Sequence, residues 1–453
     1  WIKANNPPVG QFYAVQVDDA KPYNVYGGLQ DNGTWMASSN TVENTAWHQT
    51  GQNAYTNIGD GDGMQVMVDT RNNETTYVGY QFGNYYRLPK ITSSPVYITP
   101  KHDIGQKPFR FNWQTPILLS KHHQDILYIG SNILHRSLHQ GEEMKEISKD
   151  LTANNRKGNI PFATLTTIAE STLEFGLLYT GSDDGIISCS KDGGYSWTRI
   201  SNSLPANLWV SRVVASKFNK ARVYASLNNY RNDDFTPYLF VSDEYGKNWK
   251  QLGKDLPNEP INVVREDVKD ENIIYVGTDN GLYVSFDAGI HFMPWDAELP
   301  RVAVHDMVIQ ERENELVLGT HGRSIYIAKL DRVQLYPTIK DKELYLLALR
   351  DIKFNKETGN KSSVYATPDS AKVDIHYYSK NGGKHQVKIL DKKGNVLYSF
   401  SQDAIPGFNV AEYHLQCKEQ GLKYFSEKPK KAEDGNYYLP IGEYKVHMIN
   451  PNG

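Results

Sequence analysis

Cysteine is nearly absent: Cys189 and Cys417 are the only two in 453 residues. A pair so far apart makes no disulfide framework and has no metal-ligand spacing, so the redox compartment stays open. Long apolar runs are missing too. None approaches the roughly 18 residues that a membrane-spanning helix needs, so no direct membrane span is expected. Charge of one sign is lacking, with 49 Lys and Arg against 52 Asp and Glu and a formal net charge of −3. That balance removes the electrostatic case for nucleic acid or an anionic membrane as the main partner. A Gly-rich phosphate loop and a nucleophile elbow are also absent, and no cofactor is expected. The chain opens at Trp1, without Met and inside a repeat. It is expected to be a piece of a longer protein, cut short again at Gly453.

What the chain has is aromatic residues, 30 Tyr, 15 Phe and 8 Trp, and many of the tyrosines are periodic. A Tyr-x-Gly strand recurs at Tyr26–Gly28, Tyr77–Gly79, Tyr128–Gly130, Tyr179–Gly181 and Tyr275–Gly277, with Tyr224–Ser226 and Val317–Gly319 as variants. The copies lie 42 to 51 residues apart. A period of that length with four-strand content is the mark of a β-propeller, and seven copies predict seven blades. Asn272–Pro300 shows the unit: three short strands joined by tight turns at Asp279-Asn280-Gly281 and Ser285–Phe292. The expected fold is all-β, a seven-bladed propeller over residues 1–332 followed by a small β-sandwich over 363–453. Residues 333–362 are expected to be a charged connector with one strand-like run, Glu343–Leu349, and 421–435 a loop. The last repeat lacks an outer strand, so residues 1–4 are expected to pair with Ser324–Ala328 and close the ring.

A second pattern marks the turns between third and outer strands. Ser190-Lys-Asp192-Gly-Gly194-Tyr-Ser-Trp197 has Ser, Asp, Gly and Trp at the offsets of an Asp box. Ser242–Trp249 puts Glu for Asp, Ser285–Phe292 puts Phe for Trp, and Ser137–Gly141 is a worn copy. The Asp accepts backbone N–H bonds across the turn, and the Trp wedges between sheets. These residues are expected to be structural.

Together with YNVYGGLQDNGTW (23–35), PFRFNWQTPILLS (108–120), YTGSDDGI (179–186) and VLGTHGRSIYI (317–327), the repeats resemble sortilin-like and BNR (Asp-box) propellers. Those belong to large secreted bacterial proteins, often labelled glycosyl-hydrolase-like or photosystem assembly factor-like. The C-terminal sandwich resembles the immunoglobulin-like modules that follow such propellers. The resemblance implies a bacterial protein that is secreted or on the outer cell surface. One related branch, the two-propeller xyloglucan hydrolases, uses Asp residues in the turn between second and third strands. Asp31, Asp184 and Asp279 stand at that position here, without the second Gly of the pattern, and are the catalytic candidates.

The order of a four-strand meander places the outer-to-inner connections and the second-to-third turns on one face, around the channel mouth. That face is predicted to gather a ligand-binding set of Asp60, Asp62, Gln114, Asp183, Arg212, Arg231, Asp233, His305, Asp306, His321 and Arg323. Asp60-Gly-Asp62-Gly63 lacks the Glu at loop position 12 of a calcium-binding hand and reads as a glycine-rich turn. His122, His123, His135 and His139 share no ligand interval, so no metal is expected. The leading expectation is a propeller that binds a polysaccharide or a peptide and does no chemistry by itself. The alternative is a glycoside hydrolase completed by a preceding propeller, and a third is a structural module bound to other chains of a surface assembly.

Overall fold

The computed structural model describes residues 9–41, 54–154, 162–295, 299–349, 351–352 and 372–450. The chain divides into two compact units, Trp1–Gln334 and Leu335–Gly453.

The first unit is a succession of seven antiparallel sheets. Six have four strands in chain order, and the seventh has three among the described residues. In the first sheet the strands are Phe12–Val17, Asn24–Leu29, Gly33–Ser38 and Thr56–Gly59. The later inner strands are Met67–Val68, Ile117–Leu119, Leu165–Glu170, Trp209–Ala215, Ile261–Glu266 and Val304–Gln310. Second strands such as Leu178–Ser182 and Ile274–Thr278 are buried at every position. A sheet covered on both faces needs such a continuous run rather than an alternating one. Outer strands shrink to two exposed residues, as at Thr198–Arg199 and Met293–Pro294. The unit is a β-propeller.

Both members of the Tyr-x-Gly signature have a packing role. The six tyrosines are buried, and four hydroxyls hold carboxylates at the ends of inner strands. Tyr26 donates to Asp18 at 2.9 Å and Tyr275 to Asp267 at 2.7 Å within their own sheets. Tyr128 donates to Glu170 at 3.2 Å and Tyr224 to Glu266 at 3.1 Å, each in the next sheet. The glycines let neighbouring sheets approach. A Cβ on Gly181 would lie 2.4 Å from Val210 Cγ1, and one on Gly277 would lie 2.8 Å from Val304 Cγ1. At Gly319, in the seventh sheet, the atom met is Val15 Cγ1 of the first sheet, at 2.7 Å.

The seventh sheet therefore packs on the first as each earlier one packs on its successor, and the ring closes. Gly322 and Ser324 both donate their N–H to Gly10 O, at 3.0 and 3.1 Å. Tyr23 Oη donates to Glu315 Oε2 at 2.6 Å across the same seam. The expected pairing of residues 1–4 falls outside the described residues.

The Ser-Asp-Gly-Trp turn and its Glu variant key the fourth and fifth sheets to the ones before them. Ser190 Oγ accepts from Gly194 N at 2.9 Å, Asp192 accepts from Ser196 N at 2.9 Å, and the Trp197 indole donates to Ile147 O at 2.9 Å in the preceding repeat. Trp249 repeats the contact on Ile200 O at 2.8 Å.

The second unit packs the sheet of Leu344–Leu346, Val373–Ser379 and Gly407–Tyr413 with that of Gly383–Leu390, Val396–Ala404 and Lys445–Ile449. Ile375, Tyr377, Val387, Ile389, Ala411 and Met448 form their shared core. Two boundaries differ from expectation. The stretch read as a connector contains a helix, Asp331–Ile339, and Leu344–Leu346 pairs with Val373–Ser379 inside the sandwich. The helix has Pro337 within it and no apolar stripe, so neither helical signal was present. The loop expected at 421–435 begins in a 3-10 turn, Glu419–Tyr424, whose Leu422 is buried against Leu397 and Cys417.

Candidate functional site

Tyr13 is the hub of the channel mouth. It is the second residue of the first inner strand, where alternation turns its ring away from the buried Phe12. The Trp113 indole and the Asp62 and Asp31 carboxylates lie close enough to its hydroxyl to act on it. Partial burial, then those two carboxylates, push the phenol upward, so it stays a neutral donor at physiological pH. On one side lies a pocket of about 400 Å³ lined by Asp31, Asp60, Asp62, Asn57 and Gln81. Asp62 is buried and shapes it, accepting from Asp31 N at 2.7 Å; Asp31 and Asp60 are exposed. Among the described residues no group of His, Cys, Asp or Glu has the arrangement of a metal site.

On the other side lies an aromatic pair. Trp113 and Phe82 meet edge-to-face at 5.2 Å and remain 43% and 39% exposed. Phe82 has a left-handed φ of 60°, which holds its ring at the tip of the turn between second and third strands. Phe82 N donates to Trp113 O at 3.2 Å. The third inner strand starts at Ile117, so Trp113 belongs to the connection leading into it. Sequence reading missed Phe82 and Trp113 as site residues. The run FNWQTP, with Pro116 barring a ladder N–H, was the available signal.

Two histidines extend the mouth. The His321 ring is 6.1 Å from Tyr13 and stacks on His305 at 4.4 Å. Burial, then the neighbouring His321, lower His305 to about 4. Burial lowers His321 as well, opposed by Asp279. Both are neutral near pH 7; His305 is the second residue of the seventh sheet's inner strand, and His321 directly follows its second strand. Asp279 is exposed and accepts from Asn262 Nδ2 at 2.8 Å. Arg323 is exposed on the same turn as His321.

Several other predicted residues are committed to the fold instead. Asp184 is buried; its Oδ1 accepts from Ser182 Oγ at 2.6 Å and its Oδ2 from Ala153 N and Asn154 N, both at 2.9 Å. A buried carboxylate that already accepts three hydrogen bonds is a brace rather than an acid or base, which corrects its candidacy. Asp183 is likewise buried against Thr164 N and Oγ1, and burial raises it to about 6. Gln114 Nε2 donates to Tyr13 O at 3.2 Å and so positions the hub. Asp306, expected to meet ligand, is held by Arg212 at 3.0 Å, Arg265 at 3.5 Å and Val15 N at 3.2 Å.

The turn between the second and third strands of the fifth sheet carries Arg231 and Asp233. Arg231 lies 4.0 Å over Trp209 and 4.5 Å over Tyr230, a cation between two rings. Asp233 takes a left-handed φ of 58°, and Asp234 beside it organises the turn by accepting from Asn229, Thr236 and Tyr238.

No family profile and no curated protein matches the sequence. Solved structures do match in fold. A GH74 xyloglucanase from Xanthomonas campestris aligns with a TM-score of 0.53 at 16% identity, over 71% of this chain and 52% of its own. A GH74 enzyme from Niastella koreensis aligns at 0.50 and 12% identity, over 96% of this chain and 71% of its own. YCF48 from Cyanidioschyzon merolae aligns at 0.51 and 9% identity, over 71% and 96%. The chain thus spans about half of the Xanthomonas enzyme. At these identities the likeness establishes the propeller fold and nothing finer.

Proposed function

We propose that the chain is a glycan-binding propeller that takes its ligand at the channel mouth and does no chemistry there by itself. The observation that carries this reading is the continuity around Tyr13. The exposed Trp113 ring, backed edge-to-face by Phe82, offers an apolar stacking surface, and next to it Asp31, Asp60, Asp62 and Gln81 offer hydrogen-bond acceptors and an amide. A sugar ring has the same two characters, an apolar C–H face and a rim of hydroxyl donors, so stacking and carboxylate acceptance act together. Neutral His305 and His321 suit an uncharged polyol better than an anion. The name of the Xanthomonas enzyme, a xyloglucanase, is in keeping with a polysaccharide ligand. The resemblance to propellers of secreted bacterial proteins supports a place outside the cell.

The test is a screen of the chain against an array of plant and bacterial glycans and, in parallel, a peptide array. The reading expects saturable binding to glycans that is lost in Trp113→Ala. Binding confined to peptides, or release of new reducing ends from a bound glycan, overturns it.

A further inference from the structure

Below the mouth, the channel encloses a separate cavity of about 260 Å³, room for roughly eight or nine waters at about 30 Å³ each. It runs from the Arg212–Asp306 pair down to the turns between inner and second strands, where Thr70, Lys121 and Gln124 line it. Its charged lining is Lys121, Arg212 and Arg265 against Glu170 and Asp306. The two guanidiniums share one carboxylate: Arg212 Nη2 and Arg265 Nη2 both reach Asp306 Oδ1, and Asp306 Oδ2 is taken by Val15 N–H. Neither arginine has a second ion-pair partner among the described residues.

The two arginines differ in how far they are satisfied. Arg265 also donates through Nε to Met307 O at 3.0 Å and through Nη1 to Val264 O at 3.2 Å. Arg212 does not. Its side chain is 14% exposed, Nη2 carries its ion pair, and its buried Nε has no partner. A guanidinium held out of bulk water with a donor unmade is costly, and an oxyanion on its open Nε–Nη edge meets both the charge and the hydrogen bonds.

We infer that the lower channel is a binding site for a small oxyanion of phosphate or sulfate size, seated on Arg212 and admitted past Lys121 from the face opposite the glycan mouth. Charge sets the class. The carboxylate of Asp306 is already consumed, so the remaining positive charge selects an anion. Glu170, whose Oε1 accepts from Tyr128 and whose buried Oε2 has no partner, repels the anion from its own side of the cavity and confines it to Arg212. The site stands whether or not a glycan binds above it.

The experiment measures thermal unfolding of the chain against inorganic phosphate and sulfate, with sodium chloride matched for ionic strength, followed by calorimetric titration with phosphate. A saturable rise in Tm with the oxyanions beyond the chloride series is expected. Arg212→Gln should abolish it, and Lys121→Met, at the exposed entrance, should weaken phosphate several-fold. Arg231→Gln, outside the channel, should leave it unchanged. If Arg212→Gln does not fold, Lys121→Met alone decides. Oxyanion and chloride series that coincide, or a phosphate affinity unmoved by Lys121→Met, overturn the inference.

Discussion

Arg212 and Asp306 meet at 3.0 Å across the channel, one from the inner strand of the fifth sheet and the other from that of the seventh. Arg265 of the sixth sheet joins them at 3.5 Å, and Val15 N of the first sheet donates to the same carboxylate at 3.2 Å. One side chain, 7% exposed, therefore ties four consecutive members of the ring at its seam.

Removing that carboxylate leaves two guanidiniums uncompensated, whereas removing one arginine leaves a balanced pair. Asp306→Asn should cost about 3–5 kcal/mol, and Arg212→Met markedly less. Urea denaturation of both variants checks the order. A smaller loss for Asp306→Asn than for Arg212→Met would show that the clasp is not what holds the seam.

Close approach of sheets makes a second prediction. Gly181→Ala puts a Cβ 2.4 Å from Val210 Cγ1 and should cost about 1–3 kcal/mol. Gly59, in an outer strand, has its nearest neighbour at 3.5 Å, an ordinary contact. Gly59→Ala should stay within about 1 kcal/mol of the parent. Equal losses at the two positions would remove the packing argument for the repeated glycine.

Much of this was legible in the chain itself. Tyr-x-Gly announced the period because both residues are dictated by sheet-on-sheet packing, which recurs in every repeat. The site was less legible. Asp184 and Asp306 read as mouth carboxylates, since spacing does not reveal which hydrogen bonds a carboxylate will receive after folding. Trp113 was hidden because a ring in a long connection has no period. The helix Asp331–Ile339 lacked an apolar stripe for the same kind of reason: its partners are distant in sequence, such as Asp267 receiving Gln334 at 3.0 Å.

Buried neutral histidines set the acid response. His135, 1% exposed, is lowered by burial to about 4, as is His305. The unfolded chain takes up these protons from about pH 6.5 downward while the fold does not. Stability is thus lost as pH falls from about 6.5 toward 4. Asp183, raised to about 6, acts in the opposite sense, since its penalty in the fold is relieved as it protonates below that pH. Glu266, raised by burial, acts with Asp183, while His321, lowered by burial, acts with His135 and His305; His135 alone is expected to account for about 2 kcal/mol between pH 7 and 5. Urea melts of the parent and His135→Gln at both pH values check this; a parent equally stable at the two contradicts it.

The Ser-Asp-Gly-Trp turns lie on the face away from the mouth. Asp192, lowered to about 2 by its bonds from Ser196 and Ser190, holds such a turn. Asp192→Ala should lower the Tm modestly and leave ligand affinity unchanged, measured by thermal unfolding and titration on the same preparation. A loss of affinity at unchanged Tm would move the site to that face.

The most direct test of the account is calorimetric titration of an array-selected oligosaccharide into the parent chain, Trp113→Ala and Asp192→Ala. The account predicts at least a tenfold weaker Kd for Trp113→Ala, about 1.4 kcal/mol, with its Tm close to the parent's. It predicts no change in Kd for Asp192→Ala. An oligosaccharide that binds Trp113→Ala as tightly as the parent would contradict a glycan site at the channel mouth.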